Sequence, residues 1–105
     1  MDLPIVCSLS ETELRERRRT VLASMQSDVI DTVSLPNGYR YALTAGAGAL
    51  GKLADLVHLE HECCRFLAFK IIVSPGDSPI QLEVTGPPEA KAMIADLFGA
   101  KNNDR

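Results

Sequence analysis

The stretch FKIIVSPGDSPIQLEV, residues 69–84, decides the fold of this 105-residue chain. Both of its halves alternate apolar side chains with others, as half-buried strands do. Residues 74–79, SPGDSP, separate the halves and carry the prolines and the glycine of a turn. The stretch therefore predicts a β-hairpin. The positions predicted to face inward are Phe69, Ile71, Val73, Ile80, Leu82 and Val84.

A second hairpin is predicted earlier in the chain, at IDTVSLPNGYRYAL, residues 30–43. Two β-prone runs flank Pro36-Asn37-Gly38, a sequence typical of a turn. In the second run Tyr39, Tyr41 and Leu43 alternate with other residues, which gives that strand one apolar face.

Three helices are predicted around these hairpins. The first runs from about Glu11 to Asp28, and its start carries a capping box, Ser10 with Glu13. The second runs from about Leu50 to Phe66. The third opens at Pro88, a residue suited to the first helical turn, and ends at Gly99. Its predicted apolar side consists of Ala92, Met93, Ile94, Leu97 and Phe98.

This order, α-β-β-α-β-β-α, predicts an α+β fold in a single domain, residues 1–105. The two hairpins form an antiparallel sheet of about four strands with the helices packed on one face. Residues 4–7, PIVC, are a candidate for an additional edge strand. The second part of the chain reads as two strand-strand-helix units, and their loose similarity suggests a duplication.

Composition excludes several classes of function. The net charge of −3 and the pI near 5.3 argue against general affinity for nucleic acid, which requires a positive field. No apolar stretch approaches the roughly 18 residues of a transmembrane helix, and the N-terminus lacks the features of a secretory signal. We therefore expect a cytoplasmic protein with no membrane partner. Its three cysteines, an odd number, indicate free, metal-binding or reactive thiols rather than a disulfide framework.

The run GAGALG, residues 46–51, matches the glycine pattern of dinucleotide-binding loops. That function also requires a parallel βαβ unit and an acidic residue roughly 20 positions further on. The chain has no such acid there, and the strands that follow are predicted to pair as a hairpin. The run is interpreted as a connector of small residues.

The chemistry concentrates in the second helix, at HLEHECCRF, residues 58–66. At about 100° per residue, Glu60, Cys63 and Cys64 fall on or beside the inward apolar side. The apolar members of that side are Leu50, Leu53, Leu56, Val57 and Leu67. The residues predicted to lie opposite, or near the boundary, are Asp55, His58, His61, Glu62 and Arg65.

A carboxylate in an apolar stripe is costly unless it is paired, protonated or bound to a cation. Two adjacent thiols beside Glu60, completed by Cys7, would offer the sulfur ligands that soft ions favour. The sequence therefore suggests a site for zinc or another thiophilic ion at Cys7, Cys63, Cys64 and Glu60. Adjacent side chains on a regular helix diverge, so this site is easier to form if the helix unwinds near Cys63.

Other interpretations of the same residues stay open. Buried cysteines often only fill core space, and Glu60 is able to pair with an arginine of the first helix or with a tyrosine. A thiol-dependent enzyme would use Cys63 or Cys64 as nucleophile and His61 as base. His58, His61 and Glu62 form a solvated face or a zinc or nickel site.

The run RERRR, residues 15–19, is interpreted mainly as a solvated face of the first helix. Its alternatives are anion binding, pairing with Glu60 and contact with an acidic partner. In an interaction module, a sheet edge or the first helix would pair with a second copy of the chain as a homodimer.

Several short motifs resemble a group of small bacterial proteins of unknown function. They are Cys7-Ser8-Leu9 with ETELRERR, Pro36-Asn37-Gly38-Tyr39, LEHECCRF and LEVTGPPEAK, which together span nearly the whole chain. The resemblance implies that Cys7, Glu60, Cys63 and Cys64 belong to one pattern, and it implies no known activity. In that group a proline commonly follows the cysteines, whereas here Arg65 does.

Overall fold

The computed structural model describes residues 12–99, with side chains at 16 and 18–99. The chain forms α1 (Thr12–Asp28), β1 (Val29–Leu35), β2 (Gly38–Leu43), α2 (Ala49–Cys63), β3 (Ala68–Ile72), β4 (Ile80–Thr85) and α3 (Lys91–Phe98). A single 3-10 turn, Pro88–Ala90, leads directly into α3. The element order is the predicted one, and the fold class is α+β.

The four strands form one antiparallel sheet in the order β1-β2-β4-β3. The two hairpins join through β2 and β4, with Gly38 opposite Thr85 and Leu43 opposite Ile80. Gly38 has to be a glycine because a Cβ there would overlap the carbonyl oxygen of Val84. The order is symmetric about the β2–β4 pair, as two ββα units would be, and the suggested duplication itself stays a prediction.

The helices cover one face of the sheet and enclose the core. Leu82 and Val84 of β4 and Ile94 of α3 have no exposed surface. The hydroxyl of Tyr41 donates a hydrogen bond of 2.6 Å to the carbonyl oxygen of Gly99, so the central strand is tied to the end of α3. Burial raises the pKa of this phenol, which therefore stays a hydrogen-bond donor.

Three predictions of inward-facing residues are wrong. Val73 is 60% exposed because the pairing of β3 with β4 ends at Ile72, where the turn begins. Leu50 is 46% exposed in the first turn of α2, ahead of Leu53, the first buried residue of that helix. Ala92 is exposed, whereas Ile94 and Phe98 of the same helix are buried.

Other predictions lie outside the described residues. They are the Ser10–Glu13 capping box, the edge strand at residues 4–7 and the position of Cys7. Within residues 12–99, no helix is both long enough and apolar enough to span a bilayer.

Candidate thiol site

The C-terminal end of α2 places the two adjacent cysteines. The helix ends at Cys63 instead of the predicted Phe66, and Cys64 has the non-helical dihedral angles φ −127° and ψ 79°. The chain then turns through a 3.1 Å hydrogen bond from the Leu67 amide to the Cys64 carbonyl. This turn buries both Phe66 and Leu67 in the core, which a continued straight helix would not do. The helix thus breaks at this point although Arg65, and not a proline, follows the two cysteines.

Because the helix ends between them, Cys63 and Cys64 are both buried. Their exposed fractions are 5% and 0%. On a continuous helix the two side chains would point about 100° apart. The break means that the divergence of neighbouring side chains on a regular helix does not apply to this pair.

Arg18 of α1 meets Glu60 of α2 in a two-pronged ion pair. Its Nε and Nη2 atoms donate hydrogen bonds of 2.7 Å each to the two carboxylate oxygens of Glu60. The Glu60 side chain is fully buried and that of Arg18 is 12% exposed. Charged groups are rarely buried without such compensation, and the paired-arginine interpretation of Glu60 is confirmed. Arg18, one of the RERRR run, is thus not part of a solvated face.

The same guanidinium also contacts sulfur. Arg18 Nη2 lies 3.3 Å from Cys64 Sγ, within hydrogen-bond distance for a sulfur acceptor. Cys64 is disulfide-bonded, whereas Cys63 is a free cysteine. The odd cysteine count predicted free, metal-binding or reactive thiols, and a disulfide at Cys64 departs from that expectation. Whether Cys7 completes the predicted set stays a prediction.

The free thiol of Cys63 is held in its neutral form. Burial is the main cause that raises its pKa; the positive charge of Arg18 opposes the shift, and the carboxylates of Glu60 and Glu62 add to it. Catalytic cysteines usually have a lowered pKa because the thiolate is the nucleophile. Cys63 therefore does not have the lowered pKa of an activated, nucleophilic cysteine.

Among the residues that the structure describes, no group of three or more histidine, cysteine or acidic side chains is arranged to hold a metal ion. Both Glu60 oxygens already accept hydrogen bonds from Arg18, so a metal ion would have to compete with the guanidinium for them. The arrangement supplies two buried sulfur atoms and a balanced charge pair. A third cysteine sulfur has to come from Cys7, because the chain has three cysteines.

The other face of α2 is exposed, as predicted. His58, His61 and Glu62 are all exposed, and Glu62 lies 3.9 Å from Arg65 in a solvent-exposed ion pair. Within residues 12–99, these histidines are not part of any metal-holding group. The solvated-face interpretation describes them best.

The glycine run at residues 46–51 connects β2 to α2. Both neighbours of β2 in the sheet are antiparallel to it, so the parallel βαβ unit of a dinucleotide site is absent from the described sheet. Gly48 caps the helix with φ 77°, a left-handed conformation that favours glycine. The connector interpretation accounts for the run.

The chain was compared with known proteins in three ways. No protein-family model matches it, and no match is found among curated proteins or solved structures. The interpretation of the site therefore depends on its own geometry and chemistry.

Proposed function

We propose that the reduced protein binds a thiophilic metal or metalloid ion, such as zinc or arsenite, through Cys63, Cys64 and Cys7, with Glu60 assisting. The observation that carries the proposal is the end of α2 between two adjacent cysteines, which buries both side chains. Thiolate sulfur is the ligand that soft ions prefer. A metal ion would also deprotonate the Cys63 thiol on coordination, so the raised pKa is no obstacle.

The third sulfur is inferred from the cysteine count. The chain has three cysteines, Cys64 is disulfide-bonded and Cys63 is free. We infer that Cys7 is the partner of Cys64 within one chain. Two sulfur atoms close enough to form a disulfide are, once reduced, close enough to bind one ion. The two electrons for that reduction come from an external dithiol or phosphine, which is oxidised.

Arg18 and Glu60 assist this site without being its main ligands. The guanidinium that contacts Cys64 Sγ brings a positive charge to a place where thiolates collect negative charge. Glu60 fixes the guanidinium through two hydrogen bonds. We infer that ion binding takes place in a reducing compartment such as the cytoplasm, where the disulfide at Cys64 would be opened and the thiols kept available.

Ion binding is tested by calorimetric titration of phosphine-reduced protein with zinc and, separately, with arsenite. Each thiol that reacts with As(OH)3 forms an As–S bond, breaks an As–O bond and releases a water molecule. We expect one ion per chain, and affinity lower by at least about tenfold in Cys7→Ser, Cys63→Ser and Cys64→Ser. His61→Ala, which changes an exposed neighbour, is the matched control and should bind normally. Micromolar binding that survives both Cys63→Ser and Cys64→Ser would rule out this site.

The inferred disulfide has its own test. Peptide mapping of unreduced protein by mass spectrometry should recover a linked peptide that contains Cys7 and Cys64, with Cys63 alkylated. A non-reducing gel should show a monomer. Linkage of Cys64 to a second chain would contradict the proposed set.

A thiol-based redox function is the second candidate, because a disulfide at Cys64 adjoins a free thiol at Cys63. The enzyme version has weaker support: the pKa of Cys63 is raised, and His61, its proposed base, is exposed. Alkylation rates discriminate the two functions. Rapid alkylation of a reduced cysteine at neutral pH would favour the redox function over ion binding. The alkylation rate should then be unchanged in variants that no longer bind an ion.

Self-association is a third possibility, through the edge strands β1 and β3 or through α1. Edge strands offer unpaired backbone groups to a second sheet. Sedimentation at several concentrations measures this directly, and a monomer throughout would remove the homodimer.

A further inference from the structure

A cavity of about 320 Å³ lies between α1, α2 and the ends of β2 and β4. The helices run antiparallel, since Arg18 meets Glu60 near one end of the pair and Asp28 meets Lys52 near the other. The cavity adjoins the second end, so it is distinct from the thiol site. Its volume is within the range of about 300–1,000 Å³ that small-molecule pockets occupy.

The floor of this cavity is apolar. It is formed by buried side chains from both helices and both strands, which are Met25, Leu43, Leu53, Leu56 and Ile80. Protein interiors are otherwise packed with few voids larger than a water molecule. Ser24 of α1 and Ala49 of α2, which have small side chains, also line the cavity.

The rim of the cavity is polar and carries an excess of negative charge. Lys52 pairs with Asp28 at 3.4 Å, and this pair is exposed. Asp55 adds a second carboxylate to the same rim, so two acidic groups stand against one ammonium group. An apolar floor with a few polar groups at its edge is the usual composition of a ligand pocket.

We propose that this cavity binds a small organic amine, with its apolar body on the Met25–Leu53–Leu56 floor and its ammonium group beside Asp55. An apolar cavity of roughly 150 Å³ already accepts benzene, so this one has room for a body of roughly two fused rings. Among the described residues that line the cavity, Lys52 is the only cation and already pairs with Asp28, so the ammonium group of a ligand would pair with Asp55. An amine is therefore preferred over a carboxylate with the same apolar body.

The probes are 1-naphthylmethylamine, which is a cation at neutral pH, and the carboxylate 1-naphthaleneacetate. They share an aromatic body and carry opposite charges. The chain has no Trp, so naphthalene fluorescence reports binding without tryptophan emission. We expect the amine to bind about three- to fivefold more tightly, the range of an exposed ion pair. Equal affinities, or tighter binding of the carboxylate, would overturn the assignment.

Two classes of variant locate the binding. Ala49→Leu and Ser24→Leu place extra carbon atoms inside the cavity and should each weaken the amine by about tenfold, because the added side chain occupies the ligand's space. Asp55→Asn should remove the preference for the amine, whereas Asp77→Asn, an exposed carboxylate in the β3–β4 turn, should keep it.

Two cavity-filling variants are used so that misfolding of one leaves the other to decide. Unchanged amine affinity in the folded filling variants would overturn the site. An amine preference that persists in Asp55→Asn would overturn the role of that carboxylate. Neither outcome depends on the cysteines, so the ion-binding proposal is judged separately.

Discussion

At one end of the α1–α2 pair, Arg18, Glu60 and Cys64 fill the space between the helices with groups that bond to one another. At the other end, Met25 and Leu53 border a cavity of about 320 Å³. The same two helices are thus closely joined where they bury polar groups and loosely joined where they bury apolar ones.

The difference follows from what each kind of group requires when water is removed. A buried charge without a partner costs several kcal/mol, so the polar end folds only if its donors and acceptors are matched. Among the described residues, no buried side-chain nitrogen or oxygen atom lacks a hydrogen-bond partner. Apolar groups beside a void lose only part of their dispersion contacts, so a cavity there is tolerated.

The largest effect is expected from the polar end. Glu60→Ala removes the carboxylate that accepts two Arg18 hydrogen bonds, and it should lower the free energy of unfolding by about 3–5 kcal/mol. Glu62→Ala, whose side chain is 55% exposed two residues away, should change it by less than about 0.5 kcal/mol. Urea denaturation of both variants measures the difference. Similar losses in the two would contradict the closed polar end.

A double variant shows whether the pair is needed for folding. Arg18→Met with Glu60→Leu replaces both charges by apolar groups, so the protein should be within about 1 kcal/mol of the native stability. If it is also a poorer ion binder, the pair serves the site more than the fold. The stability losses of Arg18→Met and Glu60→Leu, measured singly, should not add up in the double variant. If they do, the two charges do not stabilise each other.

The next prediction compares two alanines. Ala49→Leu fills the cavity and should raise the free energy of unfolding by about 0.5–1 kcal/mol. Ala90→Leu, at a fully buried position next to Gly86, should lower it by about 1–3 kcal/mol because no space is available. Thermal or urea denaturation gives both values. Destabilisation by Ala49→Leu as large as that by Ala90→Leu would show that the cavity is closed in solution.

A further prediction uses the raised pKa of Cys63. Below the unfolded pKa, about 8.5, the thiol is neutral in both states and the folded state keeps its full stability. As the pH rises further, the unfolded state loses its proton first, so stability falls. Urea denaturation between about pH 7.5 and pH 9.5 should show a steeper decline for the native protein than for Cys63→Ala. Parallel declines would contradict a buried neutral thiol.

The smallest effect is expected at the rim of the cavity. Lys52 Nζ lies 3.4 Å from Asp28 Oδ2, and the two side chains are 61% and 41% exposed. Lys52→Ala should therefore change the free energy of unfolding by less than about 0.5 kcal/mol, and the change should shrink in high salt. Denaturation at low and high ionic strength checks both statements. A loss comparable to that of Glu60→Ala would erase the contrast between the two ends.

The sequence predicts most of this fold because its signals are local. The β3–β4 hairpin follows from the alternation of apolar residues and from the turn residues. Of its positions predicted to face inward, only Val73 is exposed. The end of α2 at Cys63 was missed, since the burial of Phe66 and Leu67 that favours it is a tertiary effect. A pattern of helical spacing carries no information about that packing.

The candidate site was predictable in part. The position of Glu60 on an apolar helix side showed that it needs a partner, whereas four arginines of the first helix were equally available as that partner. Only the packing of α1 on α2 selects Arg18. The cavity has no sequence signal, because it depends on how α1 and α2 pack over the ends of β2 and β4.

The most direct test of the ion-binding account is X-ray absorption at the arsenic edge of reduced protein loaded with one equivalent of arsenite. The account predicts a first shell made of sulfur, with one As–S bond for each of Cys7, Cys63 and Cys64, and one sulfur replaced in Cys63→Ser. A first shell of oxygen in the native protein, or a sulfur shell unchanged by Cys63→Ser, would contradict it.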